Sequence, residues 1–261
     1  MSLEITDQLQ RTIRFENTPK RIVSLVPSQT ELLCDLGLED NLVGVTKFCV
    51  HPNHIKSTSK VVGGTKRIHI KKITALQPDI ILCNKEENTK AIVEACATIA
   101  PIHISDICTL NDSLILIKQY GKIFEKQGTA TKLIETIKRE ADIFQNYIKN
   151  KRSYKTAYFI WMLPWMMAGK NTFIDFLLHL NRFENITHKA RYPEVNLNVN
   201  KEVELVLLSS EPFPFKEKHK KELQKFYPKA KVLLVDGEMF SWYGSRLTKA
   251  FAYFRLLHEH L

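Results

Sequence analysis

Cys49, His51 and His54 stand as C-x-H-x2-H in the stretch TKFCVHPNH, residues 46–54. Thiolate and imidazole are good ligands for zinc and other transition metals. No second Cys/His cluster completes a tetrahedral set, so the motif alone assigns no metal to the protein. A metal carried by a bound ligand can still take His51 or Cys49 as an axial donor. Glu86–Glu87 and Asp236–Glu238 are the paired carboxylates that acid–base chemistry would use, but nothing fixes their separations. GGTK, residues 63–66, offers main-chain N–H groups to an anion without the rest of a P-loop. GxSxG and GxGxxG are absent. The chain reads as a non-enzyme, with no catalytic residue assigned and no cofactor required.

Residues that are costly to expose gather in five segments: TKFCVHPNH (46–54), NKEENTK (84–90), WMLPWMMAGKN (161–171), SSEPFPFKEKH (209–219) and DGEMFSWYGSR (236–246). They hold all three tryptophans and four of the five methionines. Loops that carry such residues generally serve function. Trp242 and Tyr243, followed by Gly244, read as a flat platform, with Trp161 and Trp165 next. A broad planar ligand stacks on such faces, and methionine adapts around it. In SSEPFPFKEKH, Pro212 and Pro214 stiffen the chain around Phe213 and Phe215. Glu211 is expected to face the ligand, with at least one phenylalanine packed behind it.

Each of these segments follows a short apolar run. RIVSL, LVGV, DIILC and IHI alternate with helical patterns in the first half. In PSQTELLCDLG, Ser28 and Glu31 read as a capping box. From Thr129 to about Asn150 runs one long helix, with Leu133, Ile137, Ala141, Phe144 and Ile148 on a single stripe. The alternation then restarts with TAYFIW, KEVELVLL and KVLLV. The expected fold is α/β: two Rossmann-like lobes with central sheets, joined by one long backbone helix. The boundaries are 1–127 for the N-terminal lobe, 128–151 for the bridging helix and 152–261 for the C-terminal lobe. Ligands of open α/β sheets bind outside the carboxyl ends of the strands, so a ligand cleft is expected between the lobes.

The formal net charge of +10 raises nucleic acid as a partner. The bases are scattered lysines with acids among them, and they read as a solvated surface; no nucleic acid is assigned. The five cysteines are odd in number and lack CxxC, which favours a reducing compartment. The first residues lack an apolar signal core, and no run approaches a membrane span. The chain as it stands reads as cytoplasmic, and as periplasmic or lipid-anchored if a leader has been removed. A monomer is expected.

RIVSLVPSQTELLCDLG, LVGVTKFCVHP, ITALQPDIIL and NTFIDFLLHLNRFENI resemble the ABC-transporter substrate-binding proteins of the helical-backbone metal receptor group, nearest the vitamin B12 receptors of the BtuF type. The resemblance runs from about Arg21 to the C-terminus. It implies two α/β lobes bridged by a helix and a ligand between them: a corrinoid, haem or ferric siderophore. It places Phe48 and Trp242 near stacking positions. Thr65 and Cys83–Asn84 stand where the corrinoid binders carry tryptophans. It also implies an ABC permease as partner, although Lys71 and Gly244 stand near the positions of the docking glutamates.

The resulting site has Phe48, Trp161, Trp165, Phe213, Trp242 and Tyr243 as stacking groups. Lys47, Lys66, Lys85 and Arg246 neutralise ligand carboxylates or phosphate. Glu86, Glu211 and Glu238 accept hydrogen bonds, and Cys49, His51 and Asn84 complete the lining. The alternative is an intracellular enzyme or ligand-handling protein on the same fold, in which Lys85, Glu86, Glu211, Lys216 and Glu238 perform acid–base chemistry.

Overall fold

Runs such as DIILC and KVLLV are too short for helices, and their continuous apolarity suits strands covered on both faces. They form two separate parallel sheets in the structure, a computed structural model that describes residues 3–261. By its contacts the chain divides into two units. The first runs to Thr136 and includes Tyr243–Arg246; the second holds Ile137–Trp242 and Leu247–Leu261. Four residues from the expected C-terminal lobe thus cluster with the first unit.

The first unit opens with an antiparallel hairpin, β1 (Leu3–Thr6) and β2 (Thr12–Phe15), which the alternation pattern did not reveal. There follow β3 (Ile22–Ser24), α1 (Pro27–Asp35), β4 (Leu42–Val45), α2 (Ile55–Thr58), β5 (Lys60–Val61), α3 (Ile70–Ala75), β6 (Ile80–Asn84), α4 (Lys90–Ala97), β7 (Ile102–Ser105) and α5 (Leu110–Ile123). The parallel sheet has the order β5-β4-β3-β6-β7. The chain leaves β3 toward β4 and later returns to the other side at β6. The order therefore reverses at β3/β6, where an open α/β sheet has a crevice at its carboxyl edge. Val23, Ile81, Cys83 and Ile104 are in the core on one face of this sheet.

Helix starts show which local signals prevailed. Thr109 and Asp112 form a reciprocal capping box at α5, and Thr89 accepts from the Ile92 amide at α4. The Ser28–Glu31 box does not form. Pro27 takes the first helical position, where its missing N–H costs nothing, and Val26 is the N-cap without a side-chain bond. Glu31 is left for another partner.

The long helix α6 spans Gln127–Ile148, two residues earlier at each end than its pattern suggests, and the division between units falls within it. Ile137, Ala141, Phe144 and Ile148 are buried along its stripe. The second unit continues with β8 (Tyr154–Trp161), β9 (Met166–Met167), α7 (Phe173–Leu180), β10 (Phe183–Asn185), β11 (Leu205–Ser209), α8 (Glu217–Gln224), β12 (Lys231–Val235), α9 (Gly237–Ser241) and α10 (Leu247–Glu259). Its parallel sheet has the order β10-β8-β11-β12, and β9 pairs antiparallel with β8. Phe144 meets Phe251 and Phe254 of α10. All five cysteines are free thiols. Among the described residues no helix is long and apolar enough to cross a membrane.

Candidate functional site

In both units the segments rich in costly residues emerge at the carboxyl ends of the strands. In the first unit the loop after β4 exposes Phe48, which keeps 49% of its surface in solvent. The Thr46 hydroxyl accepts from the Phe48 amide at 3.3 Å, and the Lys47 amide donates to the Gly63 carbonyl at 2.7 Å. The Lys47 ammonium lies 4.9 Å from the Phe48 ring centroid, within range of a cation–π contact. Gly64 lies against the ring edge: a Cβ there would stand 3.1 Å from Phe48 Cε2. Phe48 is thus a supported ring beside an exposed cation. Lys66 donates to the Glu86 carbonyl at 2.6 Å and draws the GGTK turn toward the loop after β6. Arg67, which sequence reasoning missed, is exposed in the same turn.

Cys49 and Asn84 do not line a surface. Cys49 is buried, with its sulfur 3.1 Å from Thr30 Oγ1 and 3.3 Å from Thr46 Oγ1. Burial pushes its thiol pKa up, outweighing those hydrogen bonds, so it is a neutral structural group and no axial donor. His54 Nε2 meets Glu39 Oε1 at 2.5 Å, and His51 is half-buried. Among the described residues no group of three His, Cys, Asp or Glu could hold a metal. Asn84 builds the loop it stands in. Its Oδ1 accepts from the Glu86 and Glu87 amides, and its Nδ2 donates to Ser105 Oγ at 2.9 Å. This is the side-chain turn that asparagine favours. Lys85 pairs with Asp106 at 2.5 Å, and Glu86 is half-buried.

Tyr243 and Arg246 also have structural partners. The Tyr243 hydroxyl lies 3.0 Å from Gln29 Nε2 and 3.2 Å from Ser105 Oγ. Gln29 also accepts from the Tyr120 hydroxyl at 2.6 Å. Burial raises the pKa of both tyrosines. Tyr243 therefore fills polar interior of the first unit near the ends of β6 and β7, instead of offering a stacking face. Arg246 Nε donates to Glu31 Oε2 at 2.9 Å, with only 6% and 7% of the two side chains exposed. A guanidinium so placed is a poor partner for a ligand carboxylate. Gly244, at φ +83°, donates its amide to Ser113 Oγ, and a Cβ would come within 3.3 Å of Leu32. A docking glutamate has no place at that buried, left-handed position. Lys71 is exposed on α3.

In the second unit Trp161 ends β8 with 39% of its surface exposed. Its ring meets Phe213 edge-on at 5.7 Å, and Phe213 tilts against Phe215 at 4.8 Å. Phe215 is buried and stacks on Trp165 at 5.9 Å. The two rings of EPFPF therefore separate: Phe215 joins the core and Phe213 supports Trp161. Leu163 follows with 81% of its surface exposed, an apolar residue that the aromatic pattern overlooked. Glu211 is largely enclosed. Ser241 Oγ and Trp242 Nε1 both donate to its Oε1 at 2.8 Å. Burial raises its carboxyl pKa, and the Glu238 and Asp236 charges add to that. Trp242 is thus a buried donor to Glu211 and not the expected platform. Gly237 allows this close packing, since a Cβ there would lie 2.3 Å from Ser209 Oγ and 2.7 Å from Glu211 Cγ. Glu238 is half-buried on α9.

Residues 22–226 match the family model described as periplasmic binding protein. The chain is 27% identical over 190 residues to an uncharacterized ABC transporter substrate-binding lipoprotein, YvrC, of Bacillus subtilis, a match covering 69% of this chain and 60% of that protein. It is 28% identical over 188 residues to the vitamin B12-binding protein of Vibrio campbellii, covering 70% and 68% of the two chains. Among solved structures, the periplasmic vitamin B12-binding protein BtuF of Vibrio cholerae superposes with a TM-score of 0.76 at 18% identity, over 93% of this chain and 99% of that one. The siderophore-binding protein BauB, bound to ferric iron and two acinetobactin molecules, superposes with a TM-score of 0.79 at 14% identity, over 98% of each chain. These superpositions show the two-lobed fold, and the family match extends over most of the length. The chain belongs to the periplasmic binding proteins.

Proposed function

We propose that the chain is the ligand-binding receptor of an ABC transporter and takes a metal chelate of the corrinoid, haem or ferric siderophore class. In each unit the candidate ligand surface is the set of loops at the carboxyl ends of its strands. The observation that carries this reading is the exposed Trp161, buttressed by Phe213 and flanked by Leu163. Phe48 with Lys47 is its counterpart on the first unit. Exposed aromatic rings held from behind suit a large planar or multi-ring ligand, and nearby cations suit its carboxylates. The names of relatives support the class: vitamin B12-binding proteins by sequence, haem- and siderophore-binding proteins by fold. The lipoprotein relative supports a permease partner and a location outside the cytoplasm.

The enzymatic alternative gains nothing from the geometry. Lys85 pairs with Asp106, and Glu211 is engaged by Ser241 and Trp242.

Calorimetry and thermal shift with cyanocobalamin, haemin and a ferric catecholate test the reading. One of the three is expected to bind, and Trp161→Ala weakens it about tenfold, ~1.4 kcal/mol, by removing a stacking face. If all three leave both heat and melting temperature unchanged, the ligand class is wrong.

A further inference from the structure

The first unit carries a second concavity, away from the strand-end loops. Arg21 precedes β3, Leu42 opens β4, and Ser57–Ser59 lead into β5; all three line it. In a parallel sheet these positions lie at the amino edge, opposite the loops proposed to hold the chelate. The concavity is an open groove of about 750 Å³.

Its charge is one-sided. Arg21, Lys56, Lys60 and Lys72 line it against a single acid, Asp40. Among the described residues none of the four cations is in an ion pair, whereas lysines elsewhere pair, such as Lys85 with Asp106 and Lys155 with Glu202. Arg21 is held in place: its Nε and Nη2 donate to the Leu76 carbonyl at 3.0 and 2.7 Å. A carbonyl fixes the guanidinium without neutralising it. The hydroxyls of Ser57, Thr58 and Ser59 donate to the carbonyls of His54, Ile55 and Leu42, so their protons are already engaged. An anion here is held by fixed charge, not by hydroxyl donors. Leu42, Val43, Val61 and Leu76 give the groove apolar lining between the cations.

We propose that this groove binds a phosphorylated organic solute with two or more phosphoryl groups, its phosphates at the cationic rim and its uncharged body on the apolar lining. The groove proposal does not rest on the chelate reading; the two meet only where the Lys56 ammonium reaches the Lys47 carbonyl at 3.5 Å, and unchanged chelate binding by the groove variant tells failure of one from failure of the other.

ADP and inorganic tripolyphosphate are the probes, titrated calorimetrically into the full chain at low ionic strength, where screening is weakest. The variant Lys56→Gln/Lys60→Gln/Lys72→Gln changes three exposed side chains. The control Lys218→Gln/Lys221→Gln/Lys225→Gln makes the same charge change on and beside α8. The groove variant is expected to weaken ADP binding by about tenfold or more, ~1.4 kcal/mol, with the control unchanged and both folds intact by circular dichroism. No ADP binding at millimolar concentration overturns the proposal, as does an equal loss in both variants. So does a protein that ignores ADP but sediments with phosphatidylglycerol vesicles through these three lysines.

Discussion

Arg246→Ala is expected to destabilise the protein by about 3–5 kcal/mol, the cost of breaking a buried ion pair. Glu31 and Arg246 are almost wholly buried, and their 2.9 Å hydrogen bond joins residues 215 apart in sequence. Truncating the arginine removes a guanidinium countercharge from beside an interior carboxylate. The cost comes from that loss of countercharge and not from the net value of the pair, which desolvation largely offsets. Two further variants separate these contributions. Glu31→Gln keeps a hydrogen-bond acceptor but takes the negative charge from beside the guanidinium, and is also expected to be destabilising. Glu31→Leu with Arg246→Met removes both charges and recovers most of the stability lost by Arg246→Ala. Urea denaturation of the four proteins measures this. A loss below about 1 kcal/mol for Arg246→Ala would place the pair among ordinary surface ion pairs and contradict its burial.

The same pair shows where sequence reading reached and where it stopped. The βα alternation was legible because buried parallel strands are continuous apolar runs and the helices between them carry a different period. DIILC and KVLLV became β6 and β12 with little change of boundary. Trp161 and Phe48 were legible as candidates because large rings in loops after strands are costly. Their exposure and support were not, since these depend on Phe213, Gly64 and Lys47 arriving beside them. Tyr243 and Arg246 looked like ligand contacts because they share a loop with Trp242. Their partners Gln29 and Glu31 lie more than two hundred residues away, and no local pattern reports a contact of that range. Glu31 was misassigned for a local reason: a Ser-x-x-Glu spacing appeared to cap a helix that Pro27 had already started. Asn84 was misassigned for the converse reason. A polar residue at a strand end serves a ligand and an Asx turn equally well, and here three loop amides and carbonyls around Ser105 and Glu86–Glu87 claim it. The Cys49 thiol likewise followed its two threonines inward.

Acid is expected to weaken the second unit through His258, and His258→Phe to remove that part of the weakening. The imidazole lies on α10, 7% exposed, stacked on Phe183 at 5.0 Å and close to Phe144 and Tyr147. Its Nε2 is buried without a hydrogen-bond partner. Its pKa is lowered to about 4: burial is the largest cause, the Lys151 charge adds to it, and the Asn181 main chain opposes both. The unfolded chain restores the ordinary value of about 6.5. Above pH 6.5 the ring is neutral in both states and costs nothing. Between 6.5 and 4 the unfolded chain binds a proton that the folded chain refuses, so stability falls as pH falls through this window. A difference of about 2.5 pKa units corresponds to a loss on the order of 3 kcal/mol across the window. His103 and His219 are depressed in the same direction, so wild-type stability alone does not isolate His258. The difference between wild type and His258→Phe does, because the other histidines contribute equally to both. Phenylalanine keeps an aromatic ring in the cluster and places no polar nitrogen there. Urea midpoints at successive pH values should therefore diverge in favour of His258→Phe below pH 6.5, with no divergence above it. Parallel curves down to pH 4 would mean that the ring protonates within the fold, and that the cluster around Phe144 and Phe183 is open enough to hydrate it.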